Sequence, residues 1–130
     1  MERKLYRGFR DLKVYQLSYH LAVEIYNESK SFPKEEKYSL TDQIRRSSRS
    51  VPTNIAEAWS KRRYPKSFVS KLIDSDAEVS ETTVWLDFSY DHNYITKEKH
   101  EYFIEKYDEV AKMLNSMINQ PEKFCHSKIL

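Results

Sequence analysis

Glycine is almost absent from this sequence, since Gly8 is the single glycine among 130 residues. A β-rich domain of this length needs several glycines for hairpin turns and bulges, whereas α-helices need few. The shortage of glycine also excludes a glycine-rich phosphate-binding loop. The composition therefore favours an all-α fold over a β-rich or nucleotide-binding α/β fold.

Cysteine and long apolar runs are equally scarce. Cys125 is the only cysteine, so no internal disulfide can form, as is usual for proteins of a reducing compartment. No apolar stretch approaches the roughly 18 residues of a membrane-spanning helix. The first ten residues lack the apolar core of a signal peptide. These absences predict a cytoplasmic protein with no membrane partner.

Four segments show the spacing of apolar side chains that is typical of amphipathic helices. The predicted helices cover residues 12–31, 40–63 (beginning at 35 at the earliest), 66–89 and 97–119. Long helices with short connections favour antiparallel neighbours, so we expect an antiparallel up-down-up-down four-helix bundle. The length suits one domain over residues 1–130, with an ordered core over about 9–120 and a loose tail over 121–130.

Local signals refine the ends of these helices. Asp11 and Thr96 are predicted to be the N-caps of the first and fourth helices, because their side chains can accept hydrogen bonds from free backbone N–H groups. Pro52 falls inside the second helix, where it removes a backbone donor and crowds the carbonyl of Ser48. We expect a kink there rather than a break, because the apolar stripe keeps its phase across the proline.

Residues that support catalysis or metal binding elsewhere are present here without the required spacing. The four histidines lack an HExxH pattern and cysteines at zinc-site spacing; they are His20, His92, His100 and His126. A run of carboxylates lacks the Glu-x-x-His motif of di-iron bundles and indicates a solvated face; it contains Asp74, Asp76, Glu78 and Glu81. The sequence predicts no catalytic residue, metal, cofactor or small-molecule substrate.

Charge is unevenly distributed along the chain. Residues 34–71 carry ten Lys or Arg against four Asp or Glu, whereas residues 72–110 carry three against eleven. A basic block followed by an acidic block has two interpretations. The basic block is a polyanion-binding surface, or the basic face of one copy meets the acidic face of the next.

The second predicted helix carries the strongest binding signal. Helical projection places a polar row beside the apolar stripe; the row contains Arg46, Ser50, Asn54 and Glu57. Six cations are candidate nucleic-acid-binding residues: Arg45, Arg46, Arg49, Lys61, Arg62 and Arg63. Such groups bind phosphates and supply salt-dependent affinity. The alternative is that they pair with Asp42, Glu57 or acids on other helices.

Aromatic residues are abundant, and most occupy stripe positions where we expect them in the core. Trp59 lies at the edge of the second stripe, beside the basic residues. It is a candidate for a subunit interface, with stacking on a nucleic-acid base as the alternative.

Several motifs resemble a known family. They are Phe9-Arg-Asp-Leu-Lys-Val-Tyr-Gln16, Phe32-Pro-Lys-Glu-Glu36, Leu40-Thr-Asp-Gln-Ile-Arg-Arg46 and Ser50-Val-Pro-Thr-Asn-Ile-Ala-Glu57. Together they resemble the four-helix-bundle proteins encoded within intervening sequences of bacterial 23S ribosomal RNA genes. More distantly, they are similar to the accessory variability proteins of diversity-generating retroelements. The resemblance covers about residues 9–118.

The resemblance implies a compact protomer that assembles into a cyclic homopentamer, has no enzymatic activity and acts near RNA or DNA. The family's signature positions correspond to Arg45, Arg46, Ser50, Asn54 and Glu57, and Glu81 matches a glutamate of the third helix. Two positions differ, because Ala58 stands where the family has glycine and Ala77-Glu78 where it has a Gly-Ser pair.

Two functions are consistent with these observations. The first is a non-catalytic, ring-forming homo-oligomer that associates with RNA or DNA through the six cations. The alternative is a structural self-assembling adaptor that binds no nucleic acid. The candidate signature or interface residues are Ser50, Asn54, Glu57, Trp59 and Glu81.

Overall fold

The structure, a computed structural model, describes residues 6–125. Four long helices dominate it: α1 (Lys13–Ser29), α2 (Leu40–Ser60), α3 (Pro65–Asp91) and α4 (Lys97–Asn119). Three short 3-10 turns cover Phe9–Asp11, Lys34–Glu36 and Pro121–Lys123. No β-strand occurs between residues 6 and 125. The predicted all-α class is confirmed.

The helices form a square array in which sequence neighbours are also spatial neighbours. Helix α2 packs on α1 and α3, α4 packs on α3, and α1 closes the array against α4. Within the described chain α1 and α3 make no contact, so they occupy diagonally opposite corners. This arrangement confirms the up-down-up-down four-helix bundle.

The core is built from the apolar stripes of α2, α3 and α4. Its largest fully buried side chains on these helices are Ile44, Val51, Ile55, Phe68, Leu72, Leu86, Phe103, Tyr107, Val110 and Leu114. The predicted stripe of α3 is corrected, because Ile73, Ala77, Val84 and Phe88, which were expected to widen it, are exposed. Helix α1 differs from the prediction that both of its apolar lines face the core. Val14, Leu21 and Ile25 of one line are buried, but the other line is buried only at Leu12 and Ala22. That line leaves Tyr19 and Tyr26 exposed.

Small hydroxyl residues line the closest helix pair, α2 and α3. The Ser75 hydroxyl donates to the Val51 carbonyl at 2.9 Å, and the Thr82 hydroxyl donates to Ser47 Oγ at 2.9 Å. All three hydroxyl side chains are buried. Because these side chains are short and each is hydrogen-bonded, the two helices pack closely without leaving unpaired polar atoms at these positions.

The two predicted N-caps have different outcomes. Thr96 caps α4, since its Oγ1 accepts a hydrogen bond from the Lys99 N–H at 3.1 Å. The prediction for Asp11 is wrong, because Leu12 occupies the cap position of α1 and no side chain caps it. Asp11 instead ends a 3-10 turn and accepts a hydrogen bond from the Arg7 N–H at 2.8 Å.

Helix α2 runs unbroken through Pro52, as predicted, and the proline is buried. Side-chain hydroxyls supplement the backbone bonds around it. The Ser50 hydroxyl donates to the Arg46 carbonyl at 2.9 Å, and the Thr53 hydroxyl donates to the Arg49 carbonyl at 2.8 Å. Neither bond reaches the Ser48 carbonyl, which lacks the backbone donor that Pro52 cannot supply. The predicted kink stays a prediction.

The segment after α4 differs from the predicted loose tail. Pro121–Lys123 forms a 3-10 turn, and the Phe124 ring stacks on buried Phe68 with centroids 6.3 Å apart. Phe124 also lies 6.1 Å from the Tyr6 ring. Burial of this apolar ring holds residues 121–125 against the bundle. The rest of the predicted tail, 126–130, lies outside the described residues.

Two buried hydroxyls, those of Thr41 and Tyr107, lack a hydrogen-bond partner within the described chain. Tyr107 is fully buried on α4, and its phenolic oxygen makes no hydrogen bond. Burial raises the pKa of Tyr107 above its usual value, so the group stays neutral. We expect Tyr107→Phe to raise the free energy of unfolding by about 1 kcal/mol, because the buried unpaired hydroxyl is removed.

Urea denaturation followed by circular dichroism measures this effect. The matched control is Tyr102→Phe on the same helix. The Tyr102 hydroxyl donates to Glu24 Oε1 at 2.7 Å, and this bond raises the pKa of Tyr102 to about 12. The control should lose about 1 kcal/mol. A loss for Tyr107→Phe as large as that of the control would contradict the prediction.

Candidate nucleic-acid interface

The polar row of α2 faces α3. Glu57 accepts a hydrogen bond from the Lys71 ammonium, with Oε1 and Nζ 2.8 Å apart. This bond raises the pKa of Lys71 and keeps it protonated. Further along the row, the Asn54 side-chain amide donates to the Ser50 carbonyl at 2.9 Å. The row therefore supports α2 around Pro52 and joins it to α3, which gives these signature positions a structural role in the protomer.

The opposite flank of α2 faces α1 and carries two of the candidate arginines. Arg45 Nε donates to the buried hydroxyl of Ser29 at 2.7 Å. Its guanidinium carbon lies 4.5 Å from the Tyr26 ring centroid, and that of Arg49 lies 5.4 Å from the same centroid. Both cations thus gather over one exposed ring of α1, a favourable cation–π arrangement.

The remaining candidate cations lie beyond the end of α2. Arg62 folds back, because its Nε donates to the Trp59 carbonyl at 2.9 Å and its guanidinium carbon lies 3.7 Å from the Trp59 ring centroid. Burial lowers the pKa of Arg62 below its usual value. Lys61 and Arg63 are exposed. Of this group, only the exposed two present their charges freely to solvent.

Trp59 belongs to the protomer core. The residue is 8% exposed, Arg62 covers one face of its ring, and the Tyr6 ring approaches edge-on with centroids 5.6 Å apart. The N-terminal segment and Arg62 cover the helix edge where Trp59 lies, and the subunit interface and the base stacking both stay predictions.

The six cations form two patches rather than one. Arg45, Arg46 and Arg49 lie in the first half of α2, whereas Lys61, Arg62 and Arg63 follow its last residue. The 15 residues between Arg46 and Lys61 correspond to about 22 Å along a helix. A single phosphate cannot touch both patches, but a polyanion strand of several nucleotides can.

None of these six cations lies within 4.0 Å of a carboxylate oxygen in the described part of the chain. Glu57, which the sequence offered as a partner, pairs with Lys71 instead. The alternative in which intramolecular ion pairs neutralise the cluster is therefore wrong for the residues described. Of the six cations, Arg46, Arg49, Lys61 and Arg63 are exposed in the described chain.

The acidic residues of α3 form a solvated face, as predicted. Asp74 lies 3.7 Å from Lys71 Nζ, and Glu81 Oε2 accepts a hydrogen bond from Trp85 Nε1 at 3.1 Å. Partial burial and the nearby carboxylates of Glu81 and Asp74 raise the pKa of Glu78. No group of three or more His, Cys, Asp or Glu residues within 6–125 is placed to hold a metal ion.

A groove that the sequence did not reveal lies between α1 and α2, beside Arg49. Its volume is about 530 Å³, and it is lined by Phe9, Tyr15, Tyr19, Ala22, Val23, Tyr26, Arg49, Pro52, Thr53 and Ala56. From their stripe positions the tyrosines were expected in the core. The groove could have been inferred from the sequence, because α1 has apolar residues on two lines and a helix at one corner of a four-helix bundle cannot bury both completely.

The described fold and surface define a class of protein: a small all-α bundle that presents unpaired cations from its second helix. No helix within residues 6–125 is long and apolar enough to cross a membrane. The sequence matches the family of 23S rRNA-intervening sequence proteins over residues 10–116. The chain therefore belongs to this family, which confirms the resemblance of its motifs.

A solved structure supports the same assignment. The chain is 34% identical to a protein of unknown function from the S23 ribosomal protein family of Bacteroides thetaiotaomicron VPI-5482, whose crystal structure has a resolution of 1.70 Å. The match has a TM-score of 0.73 and covers 81% of this chain and 97% of that chain. No curated protein matches the chain.

Proposed function

We propose that this protein is a non-catalytic, ring-forming homo-oligomer that associates with RNA or DNA through the basic residues of α2 and the turn after it. The observation that carries the proposal is the absence of any carboxylate within 4.0 Å of the six cations in the described chain. Pentamer size follows from the family resemblance alone. The cytoplasmic location also stays a prediction.

The exposed cations are suited to phosphate contacts. Arg46, Lys61 and Arg63 are exposed, so their charges reach solvent without breaking an internal ion pair. Lys and Arg contacts to phosphates release condensed counterions, which makes such binding strongly salt-dependent. A ring multiplies these contacts, because several weak basic patches bind one polyanion with an effective concentration set by their spacing.

The test is a fluorescence-polarisation titration with a structured RNA and with a DNA duplex at about 50 and 200 mM salt. We expect affinity to fall as salt rises. In the triple variant Arg46→Glu, Lys61→Glu, Arg63→Glu, we expect affinity at low salt to fall at least about tenfold and the salt dependence to weaken, by roughly 0.7–0.9 in log–log slope per lost phosphate contact.

The matched control changes net charge equally on α4, with Lys97→Glu, Lys99→Glu and Lys112→Glu. These three lysines lie beside carboxylates, of Glu101, Glu28 and Asp108. If nucleic acid binds through the α2 region, the control retains most of its affinity. Equal losses in both variants would indicate a general charge effect, and the absence of binding by wild type at low salt would exclude the proposal.

A second candidate function, a self-assembling adaptor without nucleic-acid binding, is favoured by a different observation. Helix α3 exposes large apolar side chains, including Ile73, Val84 and Phe88, that no other helix of the described chain covers. Exposed apolar rows of this kind are typical of protein–protein contacts. Wild-type protein that forms a defined oligomer but gives no polarisation signal with RNA or DNA would favour the adaptor.

A further inference from the structure

Helix α3 carries an apolar row on the side that faces away from the bundle. The outer row consists of Ile73, Ala77, Val84 and Phe88, whose spacings of four, seven and four residues keep them on one side of a helix. Ile73, Val84 and Phe88 are 52%, 47% and 46% exposed. The buried stripe of the same helix already packs the bundle, so this second row stays about half exposed in the described chain, and of its members Phe88 contacts the Trp85 and His92 rings.

Carboxylates flank the outer row. On a helical projection Asp74 and Glu81 lie along one edge of the row and Asp87 along the other. The carboxylates of Asp74 and Asp87 contact Lys71 and His100, whereas Glu81 contacts only the Trp85 indole. The row is therefore an apolar strip with negatively charged borders.

The groove between α1 and α2 has the complementary character. Its floor and walls are apolar and aromatic, and Tyr19 and Val23 are 54% and 45% exposed. Arginines stand at both ends, since the Arg10 guanidinium lies 4.5 Å from the Phe9 centroid and Arg49 lies over Tyr26. Tyrosine and arginine are the side chains that protein interfaces use most for affinity.

The two surfaces are similar in length and lie on different sides of the protomer. The outer row extends over 16 residues, about 22 Å, and the groove follows α1 from Tyr15 to Tyr26, about 17 Å. Helices α1 and α3 lie at diagonal corners, so the groove and the row belong to different sides of the protomer. The row of one chain therefore cannot enter the groove of the same chain, but the row of a second copy can.

We propose that the groove between α1 and α2 receives the α3 outer row of a second copy of this chain. The inference rests on the homo-oligomer of the proposed function and names the surfaces that form it. Contact between two different patches is head-to-tail, and repetition of it gives a ring when the rotation between copies closes. The arginines at the groove ends then meet the acidic borders of the row.

This contact divides the basic residues between two tasks. Arg49 lines the groove and faces the neighbouring copy, whereas Arg46, Lys61 and Arg63 lie outside the groove and remain open to a polyanion. In this arrangement Arg49 attracts the acidic borders of the α3 row and so contributes to assembly. Arg46, Lys61 and Arg63 contribute to phosphate binding.

The test uses two matched variants, Val23→Asp in the groove and Val84→Asp in the outer row. Both valines are exposed in the protomer and lie within helices, so the same substitution is made in the same local setting. Asn115→Asp on the exposed face of α4 controls for added negative charge. Light scattering coupled to size exclusion measures the mass, and circular dichroism checks that each variant is folded.

We expect wild type and Asn115→Asp to be oligomers and each valine variant to be a monomer. An equimolar mixture of the two valine variants should give a heterodimer and nothing larger. The Val23→Asp variant keeps an intact outer row, which fits the intact groove of the Val84→Asp variant. The groove of the first variant and the row of the second both carry the substitution, so no third chain can bind. Only a head-to-tail contact between these two surfaces predicts assembly that appears on mixing and stops at two chains.

The outcomes separate this inference from the proposed function. If the folded variants keep the wild-type mass, or if their mixture stays monomeric, the proposed contact between the groove and the outer row is wrong. The proposal that the protein is a homo-oligomer is then unaffected. A monomeric wild type overturns the homo-oligomer and the contact together. Should either valine variant unfold, Tyr19→Asp and Ile73→Asp form a second pair on the same two surfaces. Nucleic-acid binding is measured independently of all these outcomes.

Discussion

Phe68→Ala is expected to lower the free energy of unfolding by about 3–5 kcal/mol. The Phe68 side chain is fully buried on α3, where it belongs to the core cluster. Its removal takes away apolar burial and leaves a cavity that a packed four-helix core fills only in part. The loss is a large fraction of the roughly 5–15 kcal/mol that stabilises a typical domain.

A second consequence concerns the C-terminal turn. The Phe124 ring stacks on Phe68, so the same substitution removes the main support for residues 121–125. We expect amide hydrogen exchange in this turn to accelerate more than in α4 itself. The measurement is urea denaturation for global stability, together with hydrogen exchange for the turn.

Phe88→Ala is the matched control on the same helix. Because Phe88 belongs to the outer row, both substitutions are compared in the Val84→Asp background, which we expect to be monomeric. Phe88 is 46% exposed and contacts mainly the Trp85 and His92 rings, at centroid distances of 5.9 and 6.0 Å. The helix-propensity change is identical, but little buried area is lost, so we expect about 1 kcal/mol or less. Similar losses in both variants would show that the burial assigned to Phe68 is incorrect.

Ser75→Leu is expected to cost about 2–4 kcal/mol, although leucine is the better helix former. Ser75 is fully buried between α3 and α2, and its hydroxyl donates to the Val51 carbonyl at 2.9 Å. A leucine side chain has no space there unless the two helices move apart. Separation also breaks the nearby hydrogen bond between Thr82 and Ser47.

Ser70→Leu provides the control for this prediction. Ser70 lies on the same helix and is exposed. The substitution gains helix propensity without overpacking, so the stability should stay within about 0.5 kcal/mol of wild type. Thermal and urea denaturation of both variants measure the change in the free energy of unfolding. If Ser75→Leu leaves this free energy unchanged, α2 and α3 are not closely packed at this point.

The helices were largely predictable because apolar periodicity reflects burial directly. The stripes of α2 and α4 pointed to core residues such as Ile44, Val51, Phe103 and Leu114, and the structure buries all four. The Thr96 cap was predictable because it depends only on neighbouring residues: the Thr96 hydroxyl accepts a hydrogen bond from the N–H group of Lys99. Asp11 failed because a 3-10 turn, which the sequence pattern does not distinguish from a helix start, separates it from α1.

The candidate site was predictable only in part. Projection of α2 placed the polar row with Arg46 on one flank and Arg45 and Arg49 on the other. The bond from Glu57 to Lys71 and the contacts of Arg45 with α1 agree with this placement. Projection says nothing about which charges find partners on other helices. It also could not show that Arg62 folds over Trp59, since that contact depends on the turn after α2.

The sequence by itself determined the all-α class, the four helices and the family, because these depend on periodicity, composition and motifs within one stretch of chain. The tertiary structure decided the rest. Which of two apolar lines on α1 enters the core, which cations stay unpaired, and which side chains of α3 remain exposed all depend on the neighbours that packing supplies. An amphipathic helix with two apolar faces can bury one face in the bundle, and only the assembled bundle shows which face is left for a partner.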